Sequence, residues 1–251
     1  MNNKKQNINK YWKKYKKLYS FEKFSAIYRE KELLKSISFL SKDVLEIGCG
    51  FRPIFKLAKK YKSYLAIEPG NDPFKFVLKS SKKNKKVTVI NSTFEEWCSL
   101  KPAEKFDVII LPGVLHEISS PKKFLKLCLN HLRDKGIIYI NVPNTNSLHR
   151  RLAVHMGLIE KNSELSNRNK KFQQNFNYSF KDMSKLINKI SSKLKIVKLE
   201  SFFLKPFTHS QMMTCISRKI IDHNVIKALY HISDQIGELG SEIVCIVHYK
   251  K

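Results

Sequence analysis

The sequence contains no CxxC pair. Its five cysteines, Cys49, Cys98, Cys128, Cys215 and Cys245, are odd in number, far apart and set in apolar or strand-like surroundings, which argues against a zinc site and a disulfide framework. The eight histidines show no HExxH or similar spacing, so no metal site is expected. No stretch approaches the roughly 18 uncharged apolar residues needed to span a bilayer. The basic N-terminus, MNNKKQNINKYWKKYKK, lacks the apolar centre of a signal peptide. A soluble, cytoplasmic protein is expected. Arginine is rare as well. Arg29, Arg52, Arg133, Arg150, Arg151, Arg168 and Arg218 are the complete set, against 41 lysines in a chain of net charge +27. Sites that read phosphate or bases favour the planar arginine fork, and here the lysines are scattered over most surfaces. The charge keeps a nucleic-acid partner in view but does not favour one over a small molecule.

What the sequence does have is a regular alternation of apolar strands and helices. The 251 residues, 42% of them hydrophobic, suit one sizeable domain with an added lobe. Residues 10–40 carry Trp12, Tyr15, Leu18, Phe21, Phe24 and Tyr28 at helical spacing. An N-terminal helical cap over residues 1–40 is expected, its aromatics Tyr11, Trp12 and Tyr15 read as packing. From residue 41 to 144 the segments DVLEIG, SYLAIEPG, KVTVI, KFDVIILPG and IIYINVPN read as strands. The spacing predicts a helix over IFKLAKKY opened by Pro53. It predicts another over NDPFKFVLKS with Asp72 as N-cap, and a third from Ser120 and Pro121 to a closing Gly136. Near-continuous apolar strands separated by helices imply a parallel sheet covered on both faces. Residues 145–178 break the alternation and are too long for an ordinary connection, so an inserted lid is expected. Residues 179–251 supply the remaining helices and strands, ending in SEIVCIVHYK.

The stretch VLEIGCGFRPI, Val44 to Ile54, carries the chemistry. A dinucleotide-binding turn needs a third glycine where Pro53 stands, and no P-loop pattern occurs anywhere. What remains is Gly48 and Gly50 in a tight turn, Glu46 just before it, and Glu68 at the end of the next strand. A carboxylate 18 residues past Gly50 is placed to accept ribose hydroxyls, in charge-assisted bonds of roughly 1.5–3 kcal/mol each. An acid at position 46 would repel a pyrophosphate and attract an amino group. The expected ligand has a ribose and a cationic end, a description that S-adenosyl-L-methionine meets.

In order, VLEIGCG, AIEPG, VINSTFEEW, FDVIILPGVLHEI and GIIYINVPN resemble the motifs of class I S-adenosylmethionine-dependent methyltransferases, most closely the group of small-molecule O-methyltransferases. VPNTNSLHRRLAVHMGLI and FFLKPFTHSQMM are similar to a subset associated with cell-surface glycan or polyketide pathways. The resemblance implies an α/β Rossmann-like methyltransferase fold, a doubly wound, mostly parallel seven-stranded sheet whose last strand is antiparallel. It implies cofactor contacts from Glu46, Gly48, Cys49 and Gly50, from the ribose acid Glu68 with Pro69, from Ser92, Thr93 and Phe94 beside the adenine, and from Leu111, Pro112 and Gly113 beside the sulfonium. Arg52 replaces a glycine found in many relatives, and Gln173, Gln174 and Asn175 replace histidine and arginine.

His116, after the fourth strand, is the candidate catalytic base, its ordinary pKa suited to proton transfer near neutrality. Glu117 stands beside it as a second choice. His149, Arg150, Arg151 and His155 in the lid, and Lys205, His209 and Gln211 beyond it, are candidates for acceptor binding or for a solvated face. The function expected is methyl transfer to a small-molecule hydroxyl. The alternatives are an RNA or other nucleic-acid methyltransferase, though the N-P-P-[YF] tetrapeptide of base amine methylation is replaced by LPGV, and a non-catalytic cofactor-binding protein. A nicotinamide oxidoreductase is the least favoured reading, because Pro53 occupies the third-glycine position.

Overall fold

The computed structural model describes residues 8–9, 12, 19–166, 169–170 and 174–250. Tyr11, Tyr15, Leu18 and Gln173 lie outside the described residues. Seven strands form one sheet: β1 (Asp43–Ile47), β2 (Ser63–Ile67), β3 (Val87–Ile90), β4 (Phe106–Pro112), β5 (Leu132–Pro143), β6 (Leu194–Phe202) and β7 (Glu242–Tyr249). Their order is β3-β2-β1-β4-β5-β7-β6. Strands β1 to β5 pair in parallel, and β7 runs antiparallel between β5 and β6. This is the Rossmann-like methyltransferase arrangement, with the last strand reversed as expected.

Side chains alternate across a strand, and here both sets are apolar. Leu45, Ile47, Leu65, Ile67, Ile109 and Leu111 pack with Trp97 of α3 (Phe94–Leu100), Phe124 of α4 (Pro121–Asn130) and Met183 of α6 (Phe180–Asn188). The opposite set, Val44, Tyr64, Ala66, Val108 and Ile110, packs with Tyr28 of α1 (Tyr19–Ser36), Val77 of α2 (Asn71–Ser81), Met212 of α7 (His209–Ser217) and Ile226 of α8 (His223–His231). Two buried faces explain why the strands read as unbroken apolar runs. Between β5 and α6 the chain makes an excursion through α5 (Leu148–His155). It leaves and returns at one point, where Asn144 bridges Tyr178 and the Thr145 N–H donates to the Tyr178 carbonyl at 2.8 Å.

Three local expectations are corrected. The helix expected over IFKLAKKY is a single 3-10 turn, Ile54–Lys56. Pro53 is extended (ψ 133°) and the Glu46 carboxylate caps the Ile54 N–H, but the turn stops at Lys56 and the chain leaves helical conformation at Lys60, φ +61°. Gly70, not Asp72, is the N-cap of α2. Asp72 lies inside the first turn, where its charge still favours the helix N-terminus. Gly136 does not close α4, which ends at Asn130. Leu132 already pairs with Phe106 in the sheet, and the chain turns again through Lys135 at φ +60°.

Trp97 holds the layer that supports one wall of the site. It is 2% exposed, stacks on Phe94 at 6.0 Å and meets Phe106 at 6.1 Å and His131 at 4.9 Å. Replacing a buried Trp by Ala typically costs about 3–5 kcal/mol. Trp97→Ala should therefore lower the urea midpoint by a corresponding amount with an unchanged slope; a midpoint within error of wild type would contradict this packing.

Candidate functional site

Strand β1 pairs with β2 on one side and β4 on the other, so the strand order reverses between β1 and β4. In open α/β sheets, ligands lie beyond the carboxyl ends of the strands at this reversal. Gly48 and Gly113 follow β1 and β4 there, with φ of +74° and +75°, a region that only glycine enters without strain. The Gly48 N–H donates to the Ile67 carbonyl at 2.8 Å. A Cβ on Gly48 would lie 2.5 Å from Val114 Cγ2, so the loops after β1 and β4 touch.

Two buried glutamates flank the turn and behave differently. Glu68, 2% exposed, accepts the Gly50 N–H on Oε2 and the Gly70 N–H on Oε1, both at 2.8 Å. The Trp12 side chain supplies a third hydrogen bond. Burial pushes this carboxyl up to about 7 against the opposing pull of those donors. Glu46 is fully buried; Tyr64 Oη donates to it at 2.8 Å and the Ile54 N–H at 3.1 Å. Burial pushes it up to about 8, and the nearby Glu68 and Glu30 charges add to the rise. The expectation that Glu46 contacts the cofactor meets a different geometry. Its carboxylate lies behind the turn, outside the cavity wall, because strand alternation sends residue 46 to the face shared with Tyr64. There it fixes the chain at Pro53–Ile54.

The strand ends open into a cavity of about 950 Å³. Gly48, Cys49, Gly50, Glu68, Pro69, Thr93, Phe94, Pro112 and Gly113 line it, so the structure brings most of the expected cofactor residues together. Ser92 and Leu111 stand one layer back. The Ser92 hydroxyl donates to Glu96 Oε2 at 3.2 Å and Leu111 is wholly buried in the sheet. Thr93 forms a capping box with Glu96 that fixes the start of α3. Burial beside Glu46 and Glu68 pushes the Cys49 thiol far up, so it serves as an inert wall. Arg52 pairs with Glu30 of α1 through two bonds of 2.5 and 2.6 Å, tying that helix to the turn.

On the other side of Gly113 the wall is polar. His116, in the 3-10 turn Leu115–Glu117, is 5% exposed, and its Nδ1 has no hydrogen-bond partner among the described residues. Burial and the positive charge of Arg29 pull its pKa down to about 3, partly offset by Glu22, so the imidazole is neutral at pH 7. Glu117 Oε1 lies 3.9 Å from its Nε2. Asn141 pairs with Pro112 across the sheet and donates through Nδ2 to the Ile243 carbonyl at 3.1 Å, leaving Oδ1 without a partner. Tyr139 Oη, two residues along the same strand face, is likewise unpartnered. Arg29 bridges Glu242 at 2.7 Å and Glu22 at 2.9 Å. His149, Lys205 and His209 also line the cavity. Arg150 is spent on the carbonyls of Asn162 and Glu164, while Arg151, His155 and Gln211 are exposed.

The residues that sequence reasoning passed over are Trp12, Glu95, Arg29, Tyr139 and Asn141, all on the cavity wall. For Asn141 and Tyr139 a signal existed, since polar atoms interrupt the apolar strand IIYINVPN. Trp12 was read as packing. It lies on the cavity wall, beside Gly50, Gly70 and Glu68. Among the described residues no group of acidic, histidine or cysteine side chains could hold a metal ion, and no helix is long and apolar enough to cross a membrane.

Sheet order, glycine turn and ribose-type acid together define a class I methyltransferase. The chain belongs to the methyltransferase domain family, whose pattern matches residues 25–178, and it is an S-adenosyl-L-methionine-dependent enzyme. Solved structures of low identity share the fold. An S-adenosylmethionine-dependent methyltransferase from Archaeoglobus fulgidus is 16% identical with a TM-score of 0.56, over 90% of this chain and 96% of its own. The plantazolicin methyltransferase BamL, solved with a triazolic desmethyl analogue and S-adenosylhomocysteine, is 15% identical with a TM-score of 0.53, over 90% and 82%. The cyclopropane synthase MmaA2 from Mycobacterium tuberculosis is 15% identical with a TM-score of 0.56, over 88% and 82%. No curated protein sequence gives a significant match.

The raised carboxyl of Glu46 has a consequence for stability. Its folded pKa of about 8 lies above the ordinary 4.5, so its contribution is fully present below pH 4.5 and is lost as pH rises through 8. Glu46→Gln mimics the protonated acid. From pH 5 to pH 8.5 the wild type should lose on the order of a few kcal/mol more stability than the variant; parallel urea-midpoint profiles would contradict the assignment.

Proposed function

We propose that the enzyme methylates a hydroxyl group of a polar small molecule. The observation that carries this reading is a set of buried polar atoms on the cavity wall that have no partner among the described residues: His116 Nδ1 and Asn141 Oδ1 near Gly113, and Tyr139 Oη two residues back along β5. Buried polar atoms are costly without hydrogen bonds, and a hydroxylated acceptor would satisfy them. The place of His116 and Asn141 near Pro112 and Gly113 supports an acceptor held against the end of β4.

When bound, S-adenosyl-L-methionine supplies an electrophilic methyl carbon. The residues present fit it. Gly48 and Gly50 line the cavity at positive φ, Glu68 would accept ribose hydroxyls, and Thr93 and Phe94 form the far wall. Glu46 acts through the turn it braces. The protein's part is alignment and exclusion of water. Asn141 Oδ1 accepts the acceptor's hydrogen bonds and orients it. Burial leaves His116 too weak a base to deprotonate a hydroxyl in advance, contrary to the expectation from its ordinary pKa. It accepts the hydroxyl's hydrogen bond at Nδ1 and takes the proton only as the oxygen–methyl bond forms and the oxygen turns acidic. The excursion between β5 and α6, entering and leaving at one point, acts as a lid, and α1 with Ile8 and Trp12 acts as a cap over the same cavity.

Incubation with methyl-labelled cofactor and fractionated cell extract tests the reading; label should enter the low-mass polar fraction. Label in RNA with steeply salt-dependent binding would favour the nucleic-acid alternative suggested by the +27 charge. S-adenosylhomocysteine binding with transfer to no fraction would favour a non-catalytic protein. His116→Ala should lower kcat by about 10²–10⁴-fold, the usual worth of a positioned base, while calorimetric affinity for S-adenosylhomocysteine stays near wild type. An unchanged kcat would remove His116 from the mechanism.

A further inference from the structure

Trp12 lies against Glu68, over the turns at Gly50 and Gly70. A Cβ built on Gly70 would meet its Nε1 at 2.4 Å, and one on Gly50 would meet its Cη2 at 2.8 Å. The indole therefore fills the space directly above both glycines, whose N–H groups hold the Glu68 carboxylate. Its side chain is also hydrogen-bonded to that carboxylate, and because indole nitrogen is a donor only, the N–H points at Glu68. The ring meets Phe51 edge-on at 5.3 Å, and Asn9 Oδ1 accepts the N–H of Asn71 at 2.9 Å, at the first residue of α2. Ile8 and Trp12 both line the cavity.

We propose that Trp12 is a built-in competitor of the cofactor: its indole N–H occupies Glu68 in place of a ribose hydroxyl, and the ring must withdraw before S-adenosyl-L-methionine can seat. The inference rests on the reading that Gly50 and Glu68 hold the ribose. Its logic is physical. A carboxylate as buried as Glu68 is costly when short of donors, and the indole completes its hydrogen bonding when no nucleoside is present. The contact combines one charge-assisted hydrogen bond with edge-on aromatic packing. Such an interaction holds the segment in place, yet a ligand that supplies two hydroxyls and a larger buried surface can displace it. Apparent affinity for the cofactor is then reduced by the fraction of molecules in which Trp12 is docked. The N-terminal segment thus sets the cofactor concentration at which the enzyme responds.

Calorimetry with S-adenosylhomocysteine on the full-length wild type, Trp12→Ala and Trp12→Phe tests this, with thermal melts to confirm folding. Removing the competitor should tighten binding about tenfold in Trp12→Ala, the gain expected if about a tenth of wild-type molecules are open. Trp12→Phe, which keeps a ring but loses the N–H, should fall between the two. In wild type, where the two tryptophans are Trp12 and the buried Trp97, saturating ligand should raise acrylamide quenching, and Trp12→Ala should show no such rise. Weaker or unchanged affinity in Trp12→Ala would overturn the proposal and make the indole a wall of the bound state. Failure of all three folded proteins to bind S-adenosylhomocysteine would instead sink the placement of the cofactor site, and this inference with it.

Discussion

The site depends on one carboxylate held at the mouth of the sheet. Strands β1 and β2 pair in register from Asp43 opposite Ser63 to Ile47 opposite Ile67, so both end at the same height. That brings Gly50, just past one strand, within reach of Glu68, just past the other. The Gly50 and Gly70 amides then fix both carboxylate oxygens. An acid this deeply buried survives because its lone pairs are matched with N–H donors, and matched donors also aim it. The positive φ at Gly50 follows from the same constraint, since the chain must fold back sharply to present its amide.

The rest of the pocket is arranged around that fixed point by rigid elements. Glu46 secures the turn from behind through Tyr64 and Ile54, and the Arg52–Glu30 pair fastens α1 to it. On the far side, the pairing of Pro112 with Asn141 places a polar side chain in an otherwise apolar strand, level with Gly113. The two halves of the cavity therefore differ in character. One offers backbone and a carboxylate. The other offers buried side-chain atoms without hydrogen-bond partners among the described residues.

Much of this was legible in the sequence where the signal is local. Apolar runs gave the strands, the position of VLEIGCG gave the turn, and the end of SYLAIEPG gave Glu68. What was not legible depends on residues far apart in the chain. Glu46 was expected to face the ligand. Its direction is set by strand parity and by Tyr64 on the neighbouring strand, which no local pattern reveals. The helix after Pro53 looked sound from periodicity but stops after one turn at Lys56, and Lys60 takes φ +61°. Gly136 looked like a helix stop, yet the chain had already entered the sheet at Leu132. Trp12 carried an ordinary packing signature, and only the folded chain brings its indole to Glu68.

The most direct test of the central claim compares S-adenosylhomocysteine with its 2′-deoxyribose analogue by calorimetry, on wild type and on Glu68→Ala. If Glu68 accepts the ribose hydroxyls, the analogue should bind wild type roughly 10-fold to 100-fold more weakly, as expected for a hydrogen bond to a charged group, and the two ligands should bind Glu68→Ala alike. Equal affinity of both ligands for wild type would contradict the account.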